Sequence, residues 1–268
     1  MKTVAIAVPL STQQDLTSEE TISLRHLGHY LGKYDKYAIA PKHLKVNLPG
    51  FGIKRFPERF FGSREAHNRL LLSSRFYEAF QEYQYLLIYH LDALVFSDQL
   101  MQWCETDLDY IGAPWLHCQD TPDVKVPRVG NGGFSLRKIE SFLKVIHSSK
   151  YTVDPAEYWQ RYFASKPKYI QYLNFPRKYM KRMHAFNNSR WQISQWHKTR
   201  WQNEDHFWSH EAVKYYPEFK VAPLDVGLRF AFEVAPRRCF ELNHRKLPFG
   251  CHAWPRYDRQ FWEPYLLK

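Results

Sequence analysis

The continuous apolar run Thr3-Val-Ala-Ile-Ala-Val-Pro-Leu10 predicts a parallel strand that is buried on both faces. Helical spacing follows over Ser18–Leu27, and a second short buried strand is predicted over Tyr37–Pro41. A strand, a helix and a strand at this spacing form a βαβ unit. Ligands of such sheets bind beyond the carboxyl ends of the strands, so the stretch from Pro9 to Thr12 is expected to border a site.

Length and composition limit the class of protein. A chain of 268 residues is long enough for one large domain with a substantial core. The net charge of +11 favours anionic partners such as phosphates, nucleic acid or a membrane face. The aromatic fraction of 17%, with nine Trp, suits stacking on sugars or bases.

The compartment can be inferred from the cysteines and the apolar runs. The four cysteines are far apart and form no CxxC pair, so the sequence carries no zinc signature and predicts free thiols. No signal peptide is recognisable, and no run approaches the roughly 18 apolar residues of a membrane span. A cytoplasmic location is therefore expected, with attachment to the cytoplasmic face of a membrane as a further option.

The apolar run Tyr85-Leu-Leu-Ile-Tyr-His-Leu-Asp-Ala-Leu-Val-Phe96 is expected to form another strand, and it contains a single carboxylate, Asp92. A carboxylate in such surroundings is costly unless it is paired, hydrogen-bonded or bound to a metal. A helix capped by Ser63 is predicted before this strand, from Arg64 to about Gln81. The run therefore points to Asp92 as a functional residue.

Glycines interrupt a strand-like context at Val129-Gly-Asn-Gly-Gly-Phe-Ser-Leu-Arg137, shortly after a short strand predicted over Asp109–Trp115. Glycines in such a place indicate that a ligand or another backbone approaches closely, although a plain turn would have the same composition. The pattern is neither GxGxxG nor a Walker loop, so it predicts neither a dinucleotide site nor a P-loop.

A basic and aromatic segment spans Trp159 to Asn203, with ten Lys or Arg, eleven aromatic residues and no acidic residue. Within it, residues 175–186 have apolar side chains at helical spacing and basic side chains largely elsewhere. A helix of this kind can lie on an anionic membrane surface, or it can be an ordinary solvated helix packed on the core. Both interpretations stay open, and the segment at about 159–200 is expected to be an insertion in the main domain.

Two adjacent acids, Glu204 and Asp205, lie among aromatic residues. Adjacent side chains cannot share one helix face, so we expect different roles for them. Burial would raise the pKa of the inward-pointing acid, which suits a general base or acid. The alternative is a helix N-terminus at which both acids complement the dipole. A single histidine, His252, lies in a turn bounded by Pro248 and Gly250, where a structural role is the ordinary expectation.

Taken together, these motifs resemble a family. They are the first strand ending in Val-Pro, the Asp92 run, Asp-Tyr-Ile-Gly-Ala-Pro-Trp, Gly-Asn-Gly-Gly-Phe-Ser-Leu-Arg, Asn-Glu-Asp-His-Phe-Trp and Pro-Phe-Gly-Cys-His-Ala-Trp. This order resembles a bacterial family of predicted glycosyltransferases, long catalogued only as a domain of unknown function, in the nucleotide-sugar-dependent GT-A superfamily. The resemblance covers the chain from about Lys2 to Trp254.

The resemblance implies an α/β fold: a GT-A-like (Rossmann-like) single domain over residues 1–268, with a central mixed, mostly parallel sheet flanked by helices and a basic, aromatic helical insertion. GT-A enzymes usually hold a divalent metal with Asp-x-Asp, and the matching triplet here is His90-Leu-Asp92. His252 matches the C-terminal histidine that often completes the metal site, which implies Mn²⁺ or Mg²⁺. Because His90 replaces the first Asp, a metal-independent variant that uses basic residues against the diphosphate stays open.

The resemblance also implies the remaining site residues. Asp205 is expected to be the catalytic base of an inverting transfer, and Glu204 is expected to hold geometry or a donor hydroxyl. Contacts to the donor or acceptor are expected from Val8, Pro9, Asn68, Asp92, Asn131, Gly132 and Gly133.

The implied function is transfer of a sugar from a nucleotide-diphosphate sugar to a glycan or lipid-linked acceptor, in cell-surface polysaccharide synthesis. Peripheral membrane contact is expected through residues 175–186, and no nucleic acid is expected as a partner. One alternative is a nucleic-acid-binding protein that uses the basic and aromatic segment, although this leaves the buried acids unexplained. The other is a non-catalytic sugar-binding protein, motivated by the incomplete Asp-x-Asp.

Overall fold

A computed structural model of the chain describes residues 1–10, 15–196 and 203–267. The strands are β1 (Lys2–Pro9), β2 (Asp35–Pro41), β3 (Gly52–Phe56), β4 (Tyr83–Tyr89), β5 (Leu94–Val95), β6 (Tyr110–Gly112), β7 (Pro114–Trp115), β8 (Arg128–Val129), β9 (Phe134–Lys138), β10 (Ala231–Phe232) and β11 (Gly250–Cys251). The helices are α1 (Ser18–Leu31), α2 (Arg64–Leu71), α3 (Ser74–Glu78), α4 (Leu100–Cys104), α5 (Ile139–Ile146), α6 (Pro155–Tyr162), α7 (Lys168–Leu173), α8 (Phe175–Arg182), α9 (Ser189–Trp196), α10 (Glu204–His206), α11 (Ala212–Tyr215), α12 (Leu224–Phe230), α13 (Pro236–Leu242) and α14 (Arg259–Trp262).

The central sheet has six strands in the order β3-β2-β1-β4-β9-β6. Strands β1 to β4 are mutually parallel where they pair, and β9 runs antiparallel to both β4 and β6. The expectation of an α/β fold with a mixed, mostly parallel sheet flanked by helices is therefore confirmed. The chain leaves β1 toward β2 on one side and later returns to β4 on the other side, so the strand order reverses between β1 and β4.

The sheet is covered on both faces. Along β1, Ala5 and Ala7 belong to one apolar cluster, whereas Val4, Ile6 and Val8 belong to another. Successive strand side chains point to opposite faces, so each cluster lies on one face of the sheet. This arrangement explains why β1 reads as a continuous apolar run, and it confirms the prediction of a strand buried on both faces.

The prediction of a single helix from Arg64 to about Gln81 is wrong in its length. The structure has two helices instead, α2 and α3, separated at Leu72 and Ser73. The Leu71 carbonyl, which would accept a bond from residue 75 in a continuous helix, accepts instead from the Tyr77 hydroxyl at 2.7 Å and the Trp208 indole at 3.2 Å. These tertiary bonds end α2 where the apolar pattern continues.

The prediction of one strand over Tyr85–Phe96 is also wrong. Strand β4 ends at Tyr89, and the amide of Ala93 closes a turn onto the His90 carbonyl at 2.9 Å. The following β5 joins a separate three-stranded sheet in the order β10-β11-β5. Asp92 therefore lies in a turn at the carboxyl end of β4, where its side chain is 45% exposed rather than enclosed in a strand.

The basic segment forms helices α6 to α9 in its described part, and its residues 197–202 lie outside that part. The helix expected over 175–186 is shorter than predicted, because Met183 has an extended backbone and a 3₁₀ turn follows at His184–Phe186. None of the helices described for the chain has the length and apolar character needed to cross a bilayer. The four cysteines are free thiols, as predicted.

Candidate functional site

A cavity of about 680 Å³ opens at the carboxyl ends of β1 and β4. Its lining includes Pro9 from the end of β1, Arg64 and His67 from α2, and His90 and Asp92 from the turn after β4. The cavity thus lies where the strand order of the sheet reverses, the usual place for a ligand in an open α/β sheet. Of the predicted border from Pro9 to Thr12, residues 11 and 12 lie outside the described residues.

His252, directly after β11, lies at the centre of the polar contacts at this edge. Its Nδ1 is 2.9 Å from Glu233 Oε1, and its Nε2 is 3.3 Å from Asp92 Oδ1. The His252 amide donates to the Phe232 carbonyl at 2.9 Å, and the Trp254 amide donates to the Asp92 carbonyl at 3.1 Å. The second sheet therefore fixes the imidazole beside the turn that carries Asp92.

The charges of these groups stabilise one another. Burial alone would lower the pKa of His252, but the carboxylates of Asp92 and Glu233 raise this pKa to about 10. Partial burial alone would raise the pKa of Asp92, but the attraction of His252 keeps this pKa below its ordinary value. In the protein without a ligand, His252 is therefore an imidazolium held between two carboxylates.

Two further histidines, His67 and His90, lie beside His252. His67 Nε2 is 3.0 Å from His90 Nε2, and the ring centroids of His90 and His252 are 5.2 Å apart. Burial, followed by the charges of Arg137 and His252, lowers the pKa of His67 to about 4, and burial also lowers the pKa of His90. Both imidazoles are therefore neutral near pH 7, which is the form that binds metals.

The residues expected to hold a metal do meet. One ligand atom from each of His90, Asp92 and His252 lies within 4.8 Å of the others. Two imidazoles and one carboxylate suit Mn²⁺ better than Mg²⁺, since Mg²⁺ prefers an all-oxygen shell. Glu233 hydrogen-bonds the far nitrogen of His252, as the outer carboxylate of a metal-bound histidine does. The donor set therefore fits a divalent ion, which would bind after His252 has lost the proton that Asp92 and Glu233 stabilise.

Both acids lie in the first turn of α10, as the helix N-terminus alternative expects, but their contacts differ. Both guanidinium nitrogens of Arg137 donate to the Glu204 carboxylate, at 2.8 and 3.1 Å, and both side chains are buried. Arg137 also donates to the Tyr77 hydroxyl at 2.9 Å. Glu204 is therefore held in one position by a buried, bidentate ion pair.

Asp205 lacks such a partner. Its carboxylate accepts the adjacent His206 amide at 2.7 Å, and it makes no ion pair within the described part of the chain. Burial, followed by the negative charges of Glu204 and Glu233, raises the pKa of Asp205 to about 8. Asp205 is therefore a buried carboxyl poised near neutral pH, which is the property expected of a general base.

Two consecutive glycines join the histidine cluster to the acid pair. A Cβ on Gly133 would overlap the His252 imidazole, and a Cβ on Gly132 would overlap the Glu204 carboxylate. The preceding Asn131 donates to Glu233 at 2.7 Å and accepts from the Gly133 amide at 3.1 Å. The glycine cluster is therefore a close-packed bridge between the two groups, as its composition suggested.

The structure thus brings together most of the predicted site residues, namely His90, Asp92, Asn131, Gly132, Gly133, Glu204, Asp205 and His252. Of these, His90 and Asp92 line the cavity, as does the predicted Pro9, whereas the glycine bridge, the acid pair and His252 lie outside its lining. Val8 and Asn68 do not line it either. Val8 is fully buried on one face of β1. Asn68 lies next to His67 on α2 but is not among the residues that line the cavity. Their contacts with a donor or acceptor stay predictions.

Sequence reasoning missed three residues of the site: His67, Arg137 and Glu233. Glu233 is the single acid of the apolar run Phe230-Ala-Phe-Glu-Val-Ala235, which is the signal that identified Asp92. Arg137 likewise ends the buried segment Phe134-Ser-Leu-Arg137. No local signal identifies His67, because its role depends on the packing of α2 against the end of β4.

No curated protein matches the chain. Residues 50–252 match a family that is described as "Protein of unknown function (DUF5672)". This match includes the turn after β4, the glycine bridge, the acid pair and His252. Since it covers most of the chain, the protein belongs to the DUF5672 family.

Proposed function

We propose that the protein is a glycosyltransferase that moves a sugar from a nucleotide-diphosphate sugar to a hydroxyl of a glycan or lipid-linked glycan, with inversion at the anomeric carbon. The observation that supports it best is the glycine bridge, which sets three possible metal ligands beside a buried carboxyl that has no ion-pair partner in the described part of the chain. Such a transfer needs both, a cationic group at the leaving diphosphate and a base at the attacking hydroxyl.

The donor would bind in the cavity at the ends of β1 and β4. His90, Asp92 and His252 would hold a divalent metal, which when bound neutralises the charge of the leaving diphosphate. Arg64 lines the same cavity and is available to a phosphate oxygen. In a metal-independent version, the imidazolium of His252 supplies positive charge at the same place.

Asp205 would act as the base. An acceptor hydroxyl gives its proton to the Asp205 carboxylate while its oxygen forms a bond to the anomeric carbon. The bond from that carbon to the diphosphate oxygen breaks, and the nucleoside diphosphate leaves with the electron pair. Glu204 would not react, since Arg137 holds both of its oxygens, but its negative charge raises the proton affinity of Asp205.

The test is a transfer assay. Purified protein is incubated with a panel of nucleotide-diphosphate sugars and glycan acceptors, with and without Mn²⁺, and released nucleoside diphosphate is measured. We expect release with at least one donor, and loss of this release in Asp205→Asn with nucleotide binding retained. Asp225→Asn, which changes an exposed acid of α12, is the matched control and should be active.

Two outcomes would contradict the proposal. If Asp205→Asn transfers sugar at the normal rate, the base is assigned wrongly. If the protein binds a nucleotide sugar but releases no diphosphate from any donor, the non-catalytic sugar-binding alternative is favoured.

A further inference from the structure

The helical lobe, which we define as residues 158–186, exposes an unusual amount of apolar surface. Helices α6, α7 and α8 contain no fully buried residue. Tyr172 and Leu173 are 74% and 76% exposed. Nine of the sixteen exposed large apolar residues in the described chain lie in this lobe: Tyr162, Tyr169, Tyr172, Leu173, Phe175, Tyr179, Met180, Met183 and Phe186. The alternative of an ordinary helix packed on the core therefore does not describe α8.

The same lobe is strongly basic. Residues 158–186 contain seven Lys or Arg and no Asp or Glu. Arg177 and Arg182 are exposed, whereas the ammonium groups of Lys178 and Lys181 lie over the rings of Trp159 and Trp191, at 4.9 and 4.3 Å. The lobe therefore exposes both apolar side chains and positive charge, and the adjacent acid is Glu157 in the first turn of α6.

The lobe is held in shape from its base. The buried Asn187 donates to the carbonyls of Val153 and Lys181, each at 2.7 Å, and its own carbonyl accepts the Thr152 amide at 3.0 Å. The Tyr151 hydroxyl donates to the Arg182 carbonyl at 3.0 Å. The end of α8, which carries several of the exposed apolar side chains, is thus hydrogen-bonded to the segment before α6, and exposed apolar side chains in such number mark an interaction site.

We propose that the helical lobe docks the protein onto an anionic lipid bilayer. A bilayer interface accepts this combination, because aromatic side chains lie at the headgroups, Leu and Met reach the acyl boundary, and Lys and Arg contact anionic headgroups. A second copy of the chain would place seven positive charges against seven. Single-stranded nucleic acid would use the aromatic rings but would leave Leu173, Met180 and Met183 without a role.

This docking goes beyond the proposed glycosyl transfer and does not depend on it. It requires only shallow contact with the bilayer. If the transfer also occurs, the lobe holds the enzyme at the surface on which a lipid-linked acceptor is displayed.

The test is co-sedimentation of the full-length protein with vesicles, in the absence of any sugar nucleotide. Vesicles of phosphatidylcholine alone are compared with vesicles that also contain phosphatidylglycerol, at low and high salt. We expect binding to the anionic vesicles only, with release at high salt. The double variant Arg177→Gln/Arg182→Gln should weaken partitioning about thirtyfold, since each cation near the surface contributes about 1 kcal/mol. Leu173→Ser should weaken it about tenfold through lost apolar burial.

Matched controls have the same chemistry outside the lobe. Lys42→Gln/Lys45→Gln removes two exposed charges, and Leu242→Ser removes a side chain that is 47% exposed. Both should bind as the wild type does, and all variants should keep the wild-type circular dichroism spectrum. Failure to bind anionic vesicles would overturn the proposal, as would equal losses in the lobe and control variants. Tighter binding to a single-stranded RNA oligonucleotide, unaffected by Leu173→Ser, would assign the surface to nucleic acid instead.

Discussion

Replacing Asp205 by Asn should make the protein more stable above pH 5, by an amount that grows with pH. An acid whose pKa is raised on folding binds its proton more tightly in the native state than in the unfolded chain. The native state is therefore favoured at low pH and loses stability as the pH rises from the unfolded pKa of about 4 to the folded pKa. For Asp205 the folded pKa is about 8, because burial and the charges of Glu204 and Glu233 oppose ionisation.

The size of the change in unfolding free energy follows from the interval between the unfolded and the folded pKa of Asp205. Each pH unit between the two pKa values costs about 1.4 kcal/mol of unfolding free energy. From pH 5 to pH 8 the wild type should therefore lose on the order of 4 kcal/mol relative to Asp205→Asn, in which residue 205 carries no charge. The amide keeps the oxygen that accepts the His206 amide, so the local hydrogen bond is retained. For a chain of this size, this corresponds to roughly 10 °C in Tm.

The assay is thermal or urea unfolding of the wild type and Asp205→Asn at several pH values, with Asp225→Asn as the control. The control acid is exposed, and it should change stability little at any pH. We expect the difference in unfolding free energy between Asp205→Asn and wild type to increase with pH up to about 8. A difference that is constant with pH, or a variant less stable than wild type at pH 8, would refute the buried, unpaired state of this carboxyl.

Three further predictions concern the same site. Arg137→Met should lower the free energy of unfolding in urea by about 3–5 kcal/mol, because it leaves the Glu204 carboxylate buried without its cation. The double variant Arg137→Met/Glu204→Leu should recover much of this stability, and no recovery would contradict the ion pair. Gly133→Ala should weaken Mn²⁺ binding, measured by calorimetry, at least tenfold, since its Cβ would displace the His252 ring. An unchanged Mn²⁺ affinity would show that His252 is not a metal ligand. The kcat/KM for transfer should rise about tenfold per pH unit below pH 8 and then level off, because Asp205 must lose its proton to act as a base; a rate that is flat from pH 6 to pH 8 would contradict that role.

The fold was largely predictable because its decisive signals are local. The apolar run of β1, the helix after it and β2 each appear in a few consecutive residues, and they specify a parallel sheet. The break between α2 and α3 was not predictable, since it depends on bonds from Tyr77 and Trp208 to one carbonyl. The apolar pattern continues through that break and gives no warning of it.

The candidate site was predictable in part for a similar reason. Asp92 and Glu233 each stand out as a single acid in an apolar run, and either could be identified from the sequence. The role of their shared partner, His252, could not be predicted, because the three side chains meet only where the two sheets come together. The division of labour between Glu204 and Asp205 likewise depends on Arg137, a residue 67 positions away from Glu204.

The central claim is that a nucleoside diphosphate binds with a divalent metal at the turn after β4. The most direct measurement is a thermal-shift titration of nucleoside diphosphates with and without Mn²⁺, on wild type and on Asp92→Asn. At a ligand concentration of about 100 Kd, binding should stabilise the wild type by about 2.7 kcal/mol, a rise of several degrees in Tm. We predict that at least one nucleoside diphosphate raises the Tm of the wild type in the presence of Mn²⁺ and that Asp92→Asn loses this shift. No shift with any nucleotide, or an equal shift in Asp92→Asn, would contradict the claim.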